Sequence, residues 1–176
     1  LVENLYDITL KIFSKTIKSV GNNLVAVPLS AGLDSRLVLS FLKEMSCKNI
    51  ISYSYGQINN YEYETALKIA KKLNIIHLNF PCTYNSERKF YNSKFFTDYL
   101  SYSDNITGYP HIQGLSALHK LSISNNLDPN TVFINGNSGD FITGGHIPKT
   151  AFLINHNEKI NRNFEIIFNE YFNKHF

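Results

Sequence analysis

The chain has 176 residues, 43% of them hydrophobic and 14% aromatic, with a net charge of +3, which fits a globular protein with a sizeable core and excludes a disordered one. No apolar run approaches the length of a bilayer span, the start lacks the basic-then-apolar layout of a signal peptide, and the basic residues are scattered, so neither a membrane nor a nucleic acid is expected as a partner. Cys47 and Cys82 form no C-x-x-C pair, which predicts reduced, partly buried thiols in a cytoplasmic protein, with a sulfur-carrying role as the lesser alternative.

Residues 1–20 place Leu1, Leu5, Ile8, Ile12 and Ile17 at helical spacing and stop at Gly21, predicting a helix that covers a sheet. The apolar, β-branched stretch 24–29 predicts the first strand, with Pro28 tolerable because the chain is about to leave the sheet. A helix over 35–45 follows, carrying Leu37, Val38, Phe41 and Leu42. Residues 49–55 (NIISYSY) predict the second strand, 61–73 a helix with Ala66, Leu67, Ile69, Ala70 and Leu73 on its apolar face, and 75–80 a third strand ahead of Pro81. From 83 to 126 the pattern is mainly helical, in two pieces broken at Thr107-Gly108-Tyr109-Pro110. Residues 131–135 (TVFIN) predict a short buried strand, and 151–176 one or two helices. Strands and helices alternating over short connections predict an α/β fold with a doubly wound parallel sheet and right-handed crossovers. No linker divides the chain, so residues 1–176 are expected to form a single domain, and Leu1 in place of Met predicts a fragment of a longer protein.

The most informative stretch is the turn between the first strand and its helix, Leu29-Ser30-Ala31-Gly32-Leu33-Asp34-Ser35. Small side chains and hydroxyls there surround the unpaired N–H groups that open a helix, an arrangement that attracts phosphate. The same Ser and Asp residues also suit plain helix capping. A carboxylate among phosphates is repulsive unless a divalent cation intervenes, so Asp34 implies Mg²⁺, which is commonly shared by one or two carboxylates and substrate phosphates. The loop lacks both the Gly-Lys-Ser/Thr of the mononucleotide P-loop and the G-x-G-x-x-G spacing of dinucleotide sites. A second loop, NGNSGDFITGGHIP from Asn135 to Pro148, again follows a strand and again carries an Asp among glycines. Ligands of open doubly wound sheets sit beyond the carboxyl ends of strands where the strand order reverses. If the first strand and the 131–135 strand are neighbours there, Asp34 and Asp140 would face each other across the phosphates and share Mg²⁺.

The first loop resembles the SGGxDS loop of the PP-loop ATP pyrophosphatases, with Ala31 in place of the first glycine. PLSAGLDSR together with NGNSGDFITGGH resembles the synthetase domain of the asparagine synthetase family, whose pair reads LSGGLDSS or LSGGLDSR with SGEGADELFGGY. Between them, SYSYG is similar to that family's FSIGF strand, and residues 61–73 with His77 are similar to its E-x-x-x-A-x-x-x-A helix and histidine-bearing strand, so the likeness spans about residues 24–148. The resemblance implies an adenine nucleotide alpha hydrolase-like fold and an ATP-dependent amide-forming ligase, which makes an acyl-adenylate, releases pyrophosphate and transfers ammonia or an amine. It makes Ser30, Gly32, Asp34 and Ser35, with Leu29, Ala31 and Leu33 of the same loop, the site for the pyrophosphate of ATP. Tyr55 and Gly56 become part of the adenine and ribose pocket, and Asn135, Gly136 and Asn137 further nucleotide-binding positions, with Gly136 at the AMP. Asp34 and Asp140 become catalytic Mg²⁺ ligands. Arg36 is a third catalytic candidate able to reach phosphate, to face solvent or to pair with a carboxylate.

Two departures bear on activity. Asn137 stands where the family has the glutamate that handles protons of the incoming amine, and an amide cannot be a general base; Phe141 stands where the family has its next acidic residue. A catalytically silent nucleotide-binding module is therefore the alternative, as is an amidotransferase homologue of polysaccharide biosynthesis. The expected partners are a small-molecule carboxylate or sugar acceptor, with Tyr109-Pro110-His111 as candidate lining, and a glutaminase domain, upstream or separate. His77, His111, His119, His146, His156 and His175 show no metal-ligand spacing and are expected to be structural.

Overall fold

A computed structural model describes residues 2–103, 110–124, 127–137 and 139, together with 165, 168, 169 and 172. It divides into two compact units, Leu1–Asn135 and Gly136–Phe176. The first unit runs α1 (Val2–Val20), β1 (Val25–Pro28), α2 (Leu33–Glu44), β2 (Ile50–Gly56), α3 (Tyr61–Lys72), β3 (Ile76–Pro81), α4 (Tyr84–Tyr91), α5 (Lys94–Tyr102), α6 (Leu115–Ile123) and β4 (Val132–Phe133).

Among the described residues the strands form one parallel sheet in the order β3-β2-β1-β4. The chain moves outward from β1 through β2 to β3, then crosses back to place β4 on the other side of β1. Val25 pairs with Ile50 on one side and with Val132 on the other. The strand order thus reverses between β1 and β4, the neighbours that the switch-point reading requires.

Alternation along β1 and β2 supplies both faces. Val25, Val27 and Leu29 pack with Val38, Leu39 and Leu42 of α2, Ala66 and Ala70 of α3 and Val20 of α1. Ala26, Ile51 and Tyr53 pack on the opposite face with Leu121 and Leu118 of α6. A strand buried on both faces reads as continuous apolar sequence, which is why residues 24–29 stand out. Each fully buried Leu or Val here removes apolar surface worth roughly 1.5–3 kcal/mol.

Two boundaries differ from the sequence reading. The 83–126 region contains three helices among its described residues. Ser93 separates α4 from α5: its hydroxyl donates to the Phe90 carbonyl (2.6 Å) and accepts from the Phe96 N–H (3.3 Å), so one side chain serves both helix ends. α2 begins at Leu33 rather than Ser35, so the last three loop positions form its first turn. Of the expected break at 107–110, only Pro110 lies within the described residues. In the second unit the Gly139 N–H donates to the Gly136 carbonyl (3.0 Å), and Glu165, Phe168, Asn169 and Phe172 are helical, with Phe168 and Phe172 stacked at 6.1 Å.

Candidate active site

The Leu29 N–H makes a last ladder bond to the Tyr53 carbonyl (2.8 Å), and the side chain is 3% exposed, so the strand is pinned up to the residue where the loop departs. Gly32 is the N-cap of α2 and, being a glycine, brings no side chain to cap the first turn, and among the described residues no other side chain does so. The hydroxyls are turned inward to shape the loop instead. Ser35, 9% exposed, accepts from the Ser30 N–H (3.2 Å), and its Oγ lies 3.1 Å from Ser30 Oγ. Ser30 Oγ in turn accepts from the Gly32 N–H (3.1 Å). A Cβ on Gly32 would stand 3.1 Å from that same oxygen, a tight contact, so a bare backbone suits this position. The result is a narrow turn whose remaining donors, at the positive end of α2, suit an anion.

Among the described residues Arg36 pairs with no carboxylate. Its Nε donates to the Gly32 carbonyl and its Nη2 to the Ala31 carbonyl, both at 3.0 Å. The Leu33 side chain is 75% exposed and contributes backbone rather than packing. The carboxylate of Asp34, half-buried in the first turn, has no hydrogen bond or ion pair among the described residues. A partnerless carboxylate beside an anion-attracting turn fits the hard-oxygen demand of Mg²⁺, which binds through one or two carboxylates and substrate phosphates. Asp140, the second expected ligand, lies outside the described residues. Among the described residues no group of three or more His, Cys, Asp and Glu is placed to hold a metal on its own.

Tyr55 and Gly56 end β2 one strand away. Gly56 has φ +143, a conformation L side chains rarely adopt, and its carbonyl accepts the Cys82 N–H (2.8 Å), tying the ends of β2 and β3 together. The Tyr55 ring lies against Gly114, the N-cap of α6. A Cβ there would sit 2.7 Å from Tyr55 Cζ and 2.9 Å from its hydroxyl oxygen, and Gly114 has φ +76. Sequence reading missed Gly114; a glycine ahead of an apolar helix gives no sign that a distant ring needs its missing side chain. α6 is fastened further along: Glu87 accepts from Ser116 Oγ (2.9 Å) and pairs with Lys120 Nζ (3.4 Å). Burial, aided by the nearby Cys82 and Glu62, pushes the Tyr55 phenol up from its ordinary pKa, so the ring presents a neutral hydroxyl.

Burial also pushes up both thiols, Cys47 and, helped by Glu87, Cys82. Neither has the low-pKa environment of a reactive cysteine. His77 is structural, as expected. Its Nε2–H donates to Asn79 Oδ1 (2.9 Å), which also accepts from Ser54 Oγ (2.7 Å), leaving Nδ1 to accept from Ser52 Oγ (2.9 Å). His111 is exposed, and its carbonyl accepts from the Tyr99 hydroxyl (2.9 Å). Tyr109, His146, His156 and His175 lie outside the described residues. Asn135 closes the first unit and is exposed; Gly136 and Asn137 open the second, with Asn137 exposed.

The family model for asparagine synthase matches residues 16–170. The chain belongs to that family. That family implies an ATP-binding fold. A comparison with curated protein sequences finds no match. Among solved structures the chain is similar to an NH₃-dependent NAD synthetase from Campylobacter jejuni subsp. jejuni, solved with a nitrate ion, at a TM-score of 0.52 and 19% identity over 81% of this chain and 59% of that one. A glutamine-dependent NAD⁺ synthetase from Acinetobacter baumannii, solved with ADP, gives a TM-score of 0.41 and 13% identity over 74% of this chain and 24% of that one. The chain thus spans well under two thirds of the length of these structures. The likeness to the Campylobacter enzyme fixes the fold as the ATP pyrophosphatase, adenine nucleotide alpha hydrolase-like type. Among the described residues no helix is long and apolar enough to cross a membrane.

Proposed function

We propose that this asparagine synthase-family chain is the ATP-activating part of an amide-forming ligase, joining a carboxylate to AMP with release of pyrophosphate and then passing the acyl group to ammonia or an amine. The observation that carries the reading is the turn after β1, uncapped and braced by its own hydroxyls, next to the reversal of strand order between β1 and β4. In this reading Ser30, Gly32 and Ser35, with Leu29, Ala31 and Leu33 supplying backbone, hold the β- and γ-phosphates. Tyr55 and Gly56 would form part of the adenine and ribose pocket, and Asn135, Gly136 and Asn137 would be further nucleotide-binding positions, with Gly136 the AMP contact. Asp34, with Asp140, would hold Mg²⁺, which supplies neutralisation of polyphosphate charge.

A substrate carboxylate oxygen attacks the α-phosphorus, the bond from that phosphorus to the bridging oxygen breaks, and pyrophosphate leaves. An amine nitrogen then attacks the acyl carbon, AMP departs with the electron pair of the broken acyl–oxygen bond, and a proton leaves the nitrogen. The protein's part is to hold the leaving pyrophosphate in line and to stabilise its growing charge, effects of position and electrostatics rather than of a protein nucleophile. The acceptor class is a small carboxylate, free or on a sugar, and the ammonia source is a glutaminase domain, upstream or separate.

The test is to incubate the full-length protein with ATP, Mg²⁺ and a panel of carboxylates including aspartate and uronic acids, following pyrophosphate and AMP. Carboxylate-dependent release of both supports the reading. ADP and phosphate as products, or no nucleotide binding, would sink it. Asn137 in place of the family's glutamate favours a second reading, a silent nucleotide-binding module, and binding of ATP without pyrophosphate release on any carboxylate selects it.

A further inference from the structure

Arg36 has the charge and the location of a phosphate ligand, yet both guanidinium bonds go to backbone carbonyls of the loop it follows, those of Ala31 and Gly32. In a trans peptide the C=O and the next N–H point in opposite directions. A side chain that holds two successive carbonyls on one side therefore aims the following N–H groups, those of Gly32 and Leu33, to the other. The Gly32 N–H goes to Ser30 Oγ; that of Leu33 opens the uncapped first turn of α2. Successive N–H groups aimed together are what an anion-binding concavity requires. A planar fork fixes both carbonyls in one rigid geometry, whereas a lysine ammonium is a compact charge with rotatable donors on a flexible stem and imposes no such geometry.

We propose that Arg36 is a positioning residue that braces the loop peptides from behind, so that the donors facing the polyphosphate are already oriented before nucleotide arrives. This rests on the reading of the loop as the nucleotide site, and it replaces direct contact with phosphate as the reason for an arginine here. Preorganised donors bind more tightly because the ordering cost is met in the free protein.

The experiment compares Arg36→Lys and Arg36→Ala in the full-length protein by two readouts: affinity for ATP, ADP and AMP with Mg²⁺, and amide hydrogen exchange without nucleotide. Bracing predicts that both variants lose affinity for ATP to a similar extent, about 10- to 100-fold, the value of charge-assisted hydrogen bonds. It also predicts faster exchange at Ser30 and Gly32, whose N–H groups bond to Ser35 Oγ and Ser30 Oγ, with unchanged protection at Leu39 and Leu42 in the body of α2. The proposal is overturned if Arg36→Lys keeps wild-type affinity while Arg36→Ala loses it, with a loss that grows from AMP to ATP and fades in salt, since that is the signature of a phosphate ligand. Unchanged exchange at Ser30 and Gly32 overturns it as well. If the wild-type protein binds no nucleotide, the nucleotide-site reading fails on its own, and the exchange arm still decides whether the brace exists.

Discussion

One added methyl group at Gly114 should damage this protein twice, and the two costs can be separated. With φ at +76, any L side chain there incurs left-handed strain of about 1–2 kcal/mol. The new Cβ would also stand 2.7 Å from Tyr55 Cζ, 2.8 Å from Cε1 and 2.9 Å from the hydroxyl oxygen, closer than real Cβ contacts come. Relieving such overlap by shifting the ring or the start of α6 costs about 1–3 kcal/mol, as in overpacked cores. α6 has little freedom to move, because Glu87 holds Ser116 and Lys120 from α4 and Leu121 is fully buried. Gly114→Ala should therefore lower stability by about 2–5 kcal/mol in urea unfolding. In a Tyr55→Leu background the ring atoms are gone, and the same change should cost only the strain of about 1–2 kcal/mol. The double-mutant cycle should show a coupling of roughly 1–3 kcal/mol. Costs that add to within about 0.5 kcal/mol would refute the claim that the glycine exists to admit the ring.

Asp34→Asn should abolish Mg²⁺-dependent nucleotide binding while changing stability by less than about 1 kcal/mol, the worth of a first-turn carboxylate to its helix; calorimetric titration with and without Mg²⁺ checks it, and equal affinities would remove the metal role. Ser35→Ala leaves the Ser30 N–H without its acceptor, for an expected stability loss of about 1–3 kcal/mol; an unfolding midpoint equal to wild type would contradict the inward-turned hydroxyls. His77 gives a pH dependence: burial lowers its pKa from the ordinary 6.5, against a smaller opposing effect of the Asn79 bond. The unfolded chain then takes up the proton first as pH falls, so the stability tied to the neutral ring is complete above about pH 6.5 and is lost on acidification through the folded value. His77→Gln should flatten the wild-type difference in urea midpoint between pH 7.5 and pH 5, and parallel pH profiles would refute the assignment.

The strands that carry the site were legible because a parallel strand buried on both faces leaves a near-continuous apolar run, as in LVAVPL, and because NIISYSY is rich in β-branched and aromatic residues. The pairing of β1 with β4 was legible from topology, since a doubly wound sheet must reverse somewhere and two glycine-rich loops follow strands. The break at Ser93 was not, because it lacks Gly or Pro and depends on a hydroxyl that bonds both ways. The start of α2 was read two residues late, because Leu33 and Asp34 look like loop in a run of small residues. Arg36 had three candidate partners by sequence, none of them backbone carbonyls; nothing in PLSAGLDSR reveals that the guanidinium folds back by a turn and a half. The Gly114–Tyr55 contact joins residues far apart in the chain, and only the packing of α6 across the sheet creates it.

The loop that would hold the pyrophosphate is shaped almost wholly by residues 30–36, with Ser30, Ser35 and Arg36 bonding back onto one another's backbone. In the proposed reaction, the hold on the leaving pyrophosphate draws on this loop of the first unit. Transfer to the amine, as the family resemblance implies, draws on the stretch after Asn135, where Asn137 lacks the basic oxygen that the family's glutamate provides. The two half-reactions should then separate in this protein. Asn137→Glu is expected to raise the yield of amide per pyrophosphate released, with the gain largest above the carboxylate pKa. A parallel rise in pyrophosphate release and amide would mean that residue 137 acts on activation itself. No change in either would place the proton acceptor elsewhere and break the link between this asparagine and the transfer step.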